Sequence, residues 1–567
     1  MKTILIILVA FTLPMHLWTI QSYAWDPTPL WSENRPTPVD GLSNPFNLDT
    51  NELARQNLQG RKHALSYPVT ATGILLPYYP IKTILESDTE NPIKKILYKF
   101  IKGVAEVKSF DDMNRWLGLN TYPSEVGEGA YMVPRPDNIL EERMGFTLMQ
   151  RNNALGFTHS CAACHSNNLF GKKIIGLTNR FPRANDYFVK GKKAFHAINE
   201  ITFSMVSNPT KAELNMIRET KNNLKFLEAR NPVLLGLDTS LAHVAISLSR
   251  RAKNEYADKN LANALFPRAE PLRTFVADSK PAVWWNVKYK NKWLLDGSVV
   301  AGNPILTNIL WNEIGRGSNL RILENWLNNN KNIVDELTTA VFASEAPRMT
   351  DFFDDQRFDL QKAIQGQRAF ETAKCARCHG TYKKAWDLPP EDLAKLSWKD
   401  KFKTTEVHYP EDTLVRNVGT DPNRWKGMAS LEQLNDLAIS KNNGIKVKLQ
   451  EGYVPPPLVG IWARWPYLHN NSIPNLCALM TPPELRPPSY YSGESISTET
   501  DFDFECNGYP LGEKTPKNWK KKAFLYDTKR VGLSNSGHYK KIFQDEHGSE
   551  ILTVDDKKAL IHFLQTL

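Results

Sequence analysis

Two five-residue segments, Cys161-Ala162-Ala163-Cys164-His165 and Cys375-Ala376-Arg377-Cys378-His379, constrain this chain more than anything else in it. Each is a C-x-x-C-H, the pattern at which a c-type haem is attached covalently. Two thiols one turn apart can each form a thioether with a haem vinyl group, and the histidine that follows supplies the proximal imidazole to iron. Two C-x-x-C pairs could instead build a closed four-cysteine zinc site or two redox dithiols, but neither explains a histidine directly after both second cysteines. The chain is therefore expected to carry two covalently bound c-type haems, on Cys161, Cys164 and His165 and on Cys375, Cys378 and His379.

The N-terminus agrees with that chemistry. Met1-Lys2 is a short positive start, Thr3 to Ile20 is largely apolar, and Ser22-Tyr23-Ala24 offers small residues where a signal peptidase cuts. Residues 1–24 read as a signal peptide cleaved after Ala24, which predicts a periplasmic or secreted protein with Gram-negative-type export. The apolar run is broken by Pro14 and His16 and falls short of the roughly 20 residues a spanning helix needs. No other stretch is long and apolar enough, so no membrane span is expected after cleavage.

Four of the six cysteines are used by the motifs. Cys477 and Cys506 remain, and in an oxidising compartment they are candidates for a disulfide, with two buried free thiols as the alternative. The formal charge of +10 is spread over short clusters such as Lys94-Lys95, Lys172-Lys173 and Lys520-Lys521-Lys522. No basic stripe with interleaved aromatics is present, which argues against nucleic acid. The expected partners are a small redox donor protein or a small-molecule substrate; the sequence leaves the oligomeric state open.

A cytochrome c domain needs only about 100 residues, so two of them do not fill this chain. Ala363 to Phe370 reads as a short helix leading into Cys375. Thr553-Val554-Asp555-Asp556 opens a capped terminal helix whose Leu560, Phe563, Leu564 and Leu567 share one apolar face. Helical patterns also appear around 93–118, 138–153, 210–230 and 320–345, and strand-like alternation is scarce. Residues 25–90, rich in Pro, Asn and Asp, read as an extended wrap. The predicted fold is mostly α, with two cytochrome c-like haem domains, extensive irregular loops and an N-terminal extension. The boundaries are 25–130 for the extension, 131–350 for a first haem domain with an insertion, and 351–567 for a C-terminal cytochrome c domain.

Function depends on the sixth iron ligands, because a doubly ligated haem moves electrons whereas an open one binds oxygen species. Met428, His469, Met480 and His538 are the candidates after the second motif. A methionine would raise that haem's potential and a second histidine would lower it.

The chain resembles the bacterial di-haem cytochrome c peroxidase superfamily, and within it the branch that includes the rubber oxygenases. The matching stretches are Leu155-Gly-Phe-Thr-His-Ser-Cys-Ala-Ala-Cys-His165, Gly366-x-x-x-Phe370 with Lys374-Cys-Ala-Arg-Cys-His-Gly380, and Val418-Gly-Thr-Asp-Pro422. They continue with Gly452-Tyr-Val-Pro-Pro-Pro-Leu-Val-Gly-Ile-Trp462, Pro466-Tyr-Leu-His-Asn470, Ser472-Ile-Pro-Asn-Leu476 and Ser534-Asn-Ser-Gly-His538. The resemblance implies that His379 and His538 both ligate the second haem, making it an electron relay. It also implies that the first haem, on His165, keeps a distal site for dioxygen or peroxide. His469 would sit near the haems without ligating iron, and Trp284, Trp285 and nearby Trp293 could lie between haem and substrate or between the two haems. One departure stands out: rubber oxygenases place a Phe over the oxygen-binding haem, whereas here no Phe occurs between Trp284 and Trp311, and Val299-Val300 occupy that neighbourhood.

The leading expectation is thus an exported di-haem oxidoreductase that activates peroxide or dioxygen at the first haem and relays electrons through the second. The alternatives are a pure electron-transfer cytochrome and an oxygenase that cleaves a bulky apolar substrate. No catalytic acid–base residue is identifiable.

Overall fold

The structure, a computed structural model, describes residues 29–86, 92, 95, 107–137, 139–140, 143–197, 199–237 and 240–567. The signal peptide expected over 1–24 and most of the first part, 93–106, of the helical pattern expected around 93–118 lie outside the described residues, while Phe110–Trp116 is helical. Helices dominate, and the described strands form one three-stranded and four two-stranded sheets.

Residues 25–90 are not the extended wrap their composition suggests. Pro and Asp thin out after Asp49, which caps the helix Thr50–Ser66 by accepting from the Asn51 and Glu52 amides. That helix lies against a second one, Lys331–Phe342, and Gly60 is where the two backbones meet. A Cβ there would stand 1.9 Å from the Glu336 carbonyl oxygen, so the crossing requires glycine.

The helical pattern read over 138–153 is also corrected. Phe146–Arg151 and Ala154–His159 form a hairpin in which Arg151 pairs with Ala154. The two residues between, Asn152 and Asn153, both have positive φ (49° and 63°), the geometry of a tight primed turn. Asparagine tolerates that backbone, and the turn overrides the helix-like spacing of the apolar residues. Elsewhere the pattern holds with different bounds. Lys211–Leu224 is one helix, and the 320–345 region splits at Asn330 into Leu320–Asn329 and Lys331–Phe342.

Three large apolar cores and one small one are found among the described residues. One gathers residues 349–567 with Trp285 and Tyr289; a second combines residues from the helices Ser240–Leu248, Pro304–Gly315 and Lys331–Phe342 with Trp284, Trp293 and Val299. The third underlies the Phe146–His159 hairpin. Met428 through Val447 joins the second core, although its sequence position falls in the C-terminal stretch. Each C-x-x-C-H motif borders a different core, with Cys161 against the second and Cys375 against the first.

Candidate functional site

The second motif is held by two crossing helices. Leu360–Thr372 is capped by Asp359, whose side chain accepts from Gln361 and Lys362, and Val554–Leu564 by a reciprocal Thr553–Asp556 capping box. They cross at Gly366, where a Cβ would lie 2.0 Å from the Ala559 carbonyl oxygen. Lys374, at φ 54°, turns the chain into the short helix Ala376–His379. At its end Gly380 (φ 79°) passes so close to His408 that a side chain would meet that carbonyl at 2.3 Å.

This scaffold opens a cavity of about 470 Å³, bordered by Cys375, Cys378 and His379 and mostly apolar, with Leu458, Ile461, Leu476 and Phe543 among its walls. The His379 Nδ1–H donates to the Pro456 carbonyl at 2.8 Å, which fixes the tautomer and leaves Nε2 to act as ligand. Its backbone carbonyl accepts from Tyr382, whose hydroxyl in turn accepts from the Leu458 amide. Burial, with a contribution from Arg464, pushes the His379 pKa down and keeps the ring neutral, the form that binds metal. The Cys375 thiol is pushed up to about 12 by burial.

His538 faces His379, with ring centroids 6.2 Å apart and planes inclined by 56°. Burial, aided by His379 and Arg486, drives its pKa down to about 3. The loop that delivers it is pinned from both sides. The His538 amide donates to the Val418 carbonyl, and Gly537 presses on Gly419 so tightly that a Cβ would be 2.3 Å from the Gly419 carbonyl carbon. Asn470 Nδ2 donates to the Ser534 carbonyl at 3.0 Å, and Arg486 donates to the Gly537 carbonyl at 2.9 Å. Val418–Pro422, Pro466–Asn470 and Ser534–His538, far apart in sequence, therefore meet around one side chain.

The other ligand candidates divide. Met480 and His469 line the cavity, whereas Met428 is packed in the other core, away from it. The His469 ring stacks on Tyr453 at 3.9 Å, and burial drives its pKa well below the usual imidazole value. Cys477 and Cys506 form a disulfide that ties the wall helix Leu476–Leu479 to the loop behind it.

The first motif sits differently. It follows the strand Ala154–His159 as a single 3-10 turn, Cys161–Ala163, and leads into the hairpin Ser166–Leu169/Lys172–Ile175. Its carbonyls are clamped by the chain around it: Ser166 Oγ donates to Ala162, Asn179 to Ala163 and Cys164, and the Gly176 amide to His165. Burial pushes the Cys161 thiol up to about 11. The neighbour of the His165 ring is the Trp284 indole, 5.9 Å away and tilted by 39°. Gly176 makes that approach available, since a Cβ would touch Trp284 at 3.0 Å. Trp293, Val299 and Cys161 belong to the same apolar cluster.

Trp284 and its neighbours span the two regions. Trp285, wholly buried, donates from Nε1 to the Val459 carbonyl at 2.9 Å, and Asn286 donates to the Pro457 carbonyl at 3.0 Å. Both carbonyls belong to the segment carrying Pro456, the partner of His379. Sequence reasoning missed Tyr453, Pro456, Asn470 and Arg486; the Gly452–Leu458 and Pro466–Asn470 stretches held the signal for the first three, while nothing local marks Arg486.

The residues at the second motif fit a covalently attached haem: two thiols, two opposed neutral imidazoles and an apolar cavity. At the first motif the thiols and imidazole provide the same donor set. Residues 452–491, which build much of the cavity wall, match the family described as RoxA-like, cytochrome c-like. An uncharacterized protein of Sinorhizobium fredii, y4iJ, is 28% identical over 259 residues, covering 37% of this chain and 39% of that protein. A second, y4iM from the same organism, is 33% identical over 124 residues, or 20% of this chain and 27% of that protein. The matched region thus spans well under half of each relative. The chain contains a cytochrome c-like domain, and a domain of that kind carries a covalently bound haem. Among the described residues, no helix is long and apolar enough to cross a membrane.

Proposed function

We propose that this chain is an exported di-haem oxidoreductase, allied to the di-haem cytochrome c peroxidase superfamily, whose two C-x-x-C-H sites have unequal tasks. Haem iron exchanges single electrons and, where a coordination position is open, takes up small oxygen ligands. At the second site, Cys375 and Cys378 would attach the group, and His379 and His538 would supply its two imidazoles. That arrangement closes the site to substrate and leaves it the role of relay. At the first site, Cys161 and Cys164 would attach the group and His165 would supply one imidazole; the chemistry supplied there would be activation of peroxide or dioxygen.

The observation that carries this reading is the facing pair His379–His538, 6.2 Å between ring centres across an apolar cavity, set against an indole beside His165. Trp284 and Trp285 then serve as the aromatic link between the sites, because one touches His165 and the other is bonded to the wall behind His379. A small redox protein or a reducing small molecule supplies the electrons.

A second reading, an oxygenase acting on a bulky apolar substrate, is favoured by the likeness of residues 452–491 to the RoxA-like family. Val299 and Val300 are buried, and the lack of a Phe between Trp284 and Trp311, the neighbourhood where the resemblance leads one to expect it, weighs against rubber cleavage itself. Steady-state assays of the purified holoprotein separate these readings. Peroxide consumption that depends on a reduced donor supports the peroxidase-like reading, and oxygen uptake on an apolar polymer supports the oxygenase. Absence of both, with both irons inert to cyanide, would leave only an electron carrier.

A further inference from the structure

The cavity beside the second motif is mostly apolar; Lys374, Arg377 and Arg416 line it, as does a basic pair where it meets a smaller chamber. There Lys280 and Arg464 line both the cavity and the adjoining chamber of about 30 Å³, which Lys290 also borders. None of Lys280, Arg464 and Lys290 makes an ion pair among the described residues. Lys280 Nζ donates to the Pro466 carbonyl at 2.6 Å, and Arg464 to the Pro457 carbonyl at 3.1 Å, so both meet neutral acceptors only. The nearby acid, Asp296, is consumed by a fully buried pair with Arg424 at 2.9 Å. Tyr467, Tyr382 and His379 also face Arg464, and burial favours the neutral form of all three. Arg180, close enough to disfavour a charge on Lys280, adds a further cation.

Keeping these buried groups charged without an anion costs several kcal/mol, and an opposite charge beside them is what removes that cost. The small chamber holds roughly one water molecule, so the anion has to come from the cavity side. Burial and the neighbouring Arg464 and Arg180 drive the Lys280 pKa well below its usual value, so this amine keeps its proton only when an anion is brought beside it.

We infer that Lys280 and Arg464 form the receptor for the carboxylate side chains of the group attached at Cys375 and Cys378, with Lys290 as a reserve charge behind them. The inference rests on the proposed haem at that site and goes beyond it: Lys280, which comes from outside the C-terminal cytochrome c stretch, sets the charge balance of the relay. The Lys280 amide also donates to the His469 carbonyl, so the same short segment anchors the Pro466–Asn470 wall.

The test is redox potentiometry of the full-length holoprotein as a function of pH, comparing the parent with Lys280→Met, Lys280→Arg and Arg464→Gln. In the parent, both carboxylates stay ionised and the midpoint potential of the second site is flat from about pH 5 to 8. Lys280→Met and Arg464→Gln each lower the potential, because a lost cation favours the oxidised iron, and each makes it pH-dependent in that range. Lys280→Arg restores the flat profile. A profile of Lys280→Met that matches the parent overturns the inference, as does a potential in the parent that shifts on titration with inorganic phosphate, which would assign the cradle to a free anion. Covalent haem content, read by mass after denaturation, is measured in every variant. Loss of haem from the parent at Cys375 would instead remove the functional reading on which the inference stands.

Discussion

The two C-x-x-C-H motifs are nearly the same five residues, yet the protein builds opposite surroundings for them. Around Cys375 and Cys378 two helices cross at Gly366 and leave a large apolar cavity with an imidazole on each side. Around Cys161 and Cys164 the chain folds as strand, turn and hairpin, its carbonyls are clamped locally, and an indole stands beside His165. The pentapeptide encodes attachment. In the proposed reading, what the attached group does is set by distant segments such as Ser534–His538, which decide whether a second ligand arrives.

The strongest way to separate the two regions is to remove one attachment at a time. Replacing Cys375 and Cys378 by Ser, or Cys161 and Cys164 by Ser, should each halve covalent haem content, with intact-protein mass as the readout. A pair whose removal costs no haem would show that its motif is not an attachment site. Next in size, His538→Ala should abolish the low-spin signature of the second site and open it to carbon monoxide, while the spectrum assigned to the first site stays as it was.

Stability comes after ligation. Removing the Cys477–Cys506 bond with a double Cys→Ser variant should cost about 2–4 kcal/mol in denaturant titration and loosen the wall helix Leu476–Leu479 rather than the first motif. The smallest effects come from one tightly packed glycine in each region. Gly366→Ala forces the crossing helices apart, and Gly145→Ala, at φ 95° with the Ala163 backbone 2.5 Å from its Cβ, strains the first motif. Each should cost about 1–3 kcal/mol. Hydrogen exchange should place the first loss around the C-terminal helices and the second around Cys161; exchange that spreads equally in both variants would mean the regions do not fold as distinct surroundings.

The chemistry was far more legible in the sequence than the architecture around it. Attachment residues stand in a fixed local spacing, and the terminal helix carried its capping box and apolar face within fifteen residues, Thr553 to Leu567. The Phe146–His159 hairpin was hidden because its apolar residues also suit a helix, and only Asn152-Asn153 revealed the turn. Residues 25–90 misled through composition, since prolines flank a stretch, 50–66, that has none. The cation pair Lys280 and Arg464 was unreadable for a physical reason: neither belongs to a motif, and their meaning arises only when 184 residues of chain fold back to bring Lys280 beside the Arg464 carbonyl.

The central claim is that the sites differ in ligation. Electron paramagnetic resonance and absorption spectra of the oxidised holoprotein, before and after cyanide, test it most directly. The account predicts one low-spin iron that ignores cyanide and vanishes in His538→Ala, together with a second iron that binds it. Two low-spin irons both indifferent to cyanide, or a spectrum unchanged by His538→Ala, would contradict it.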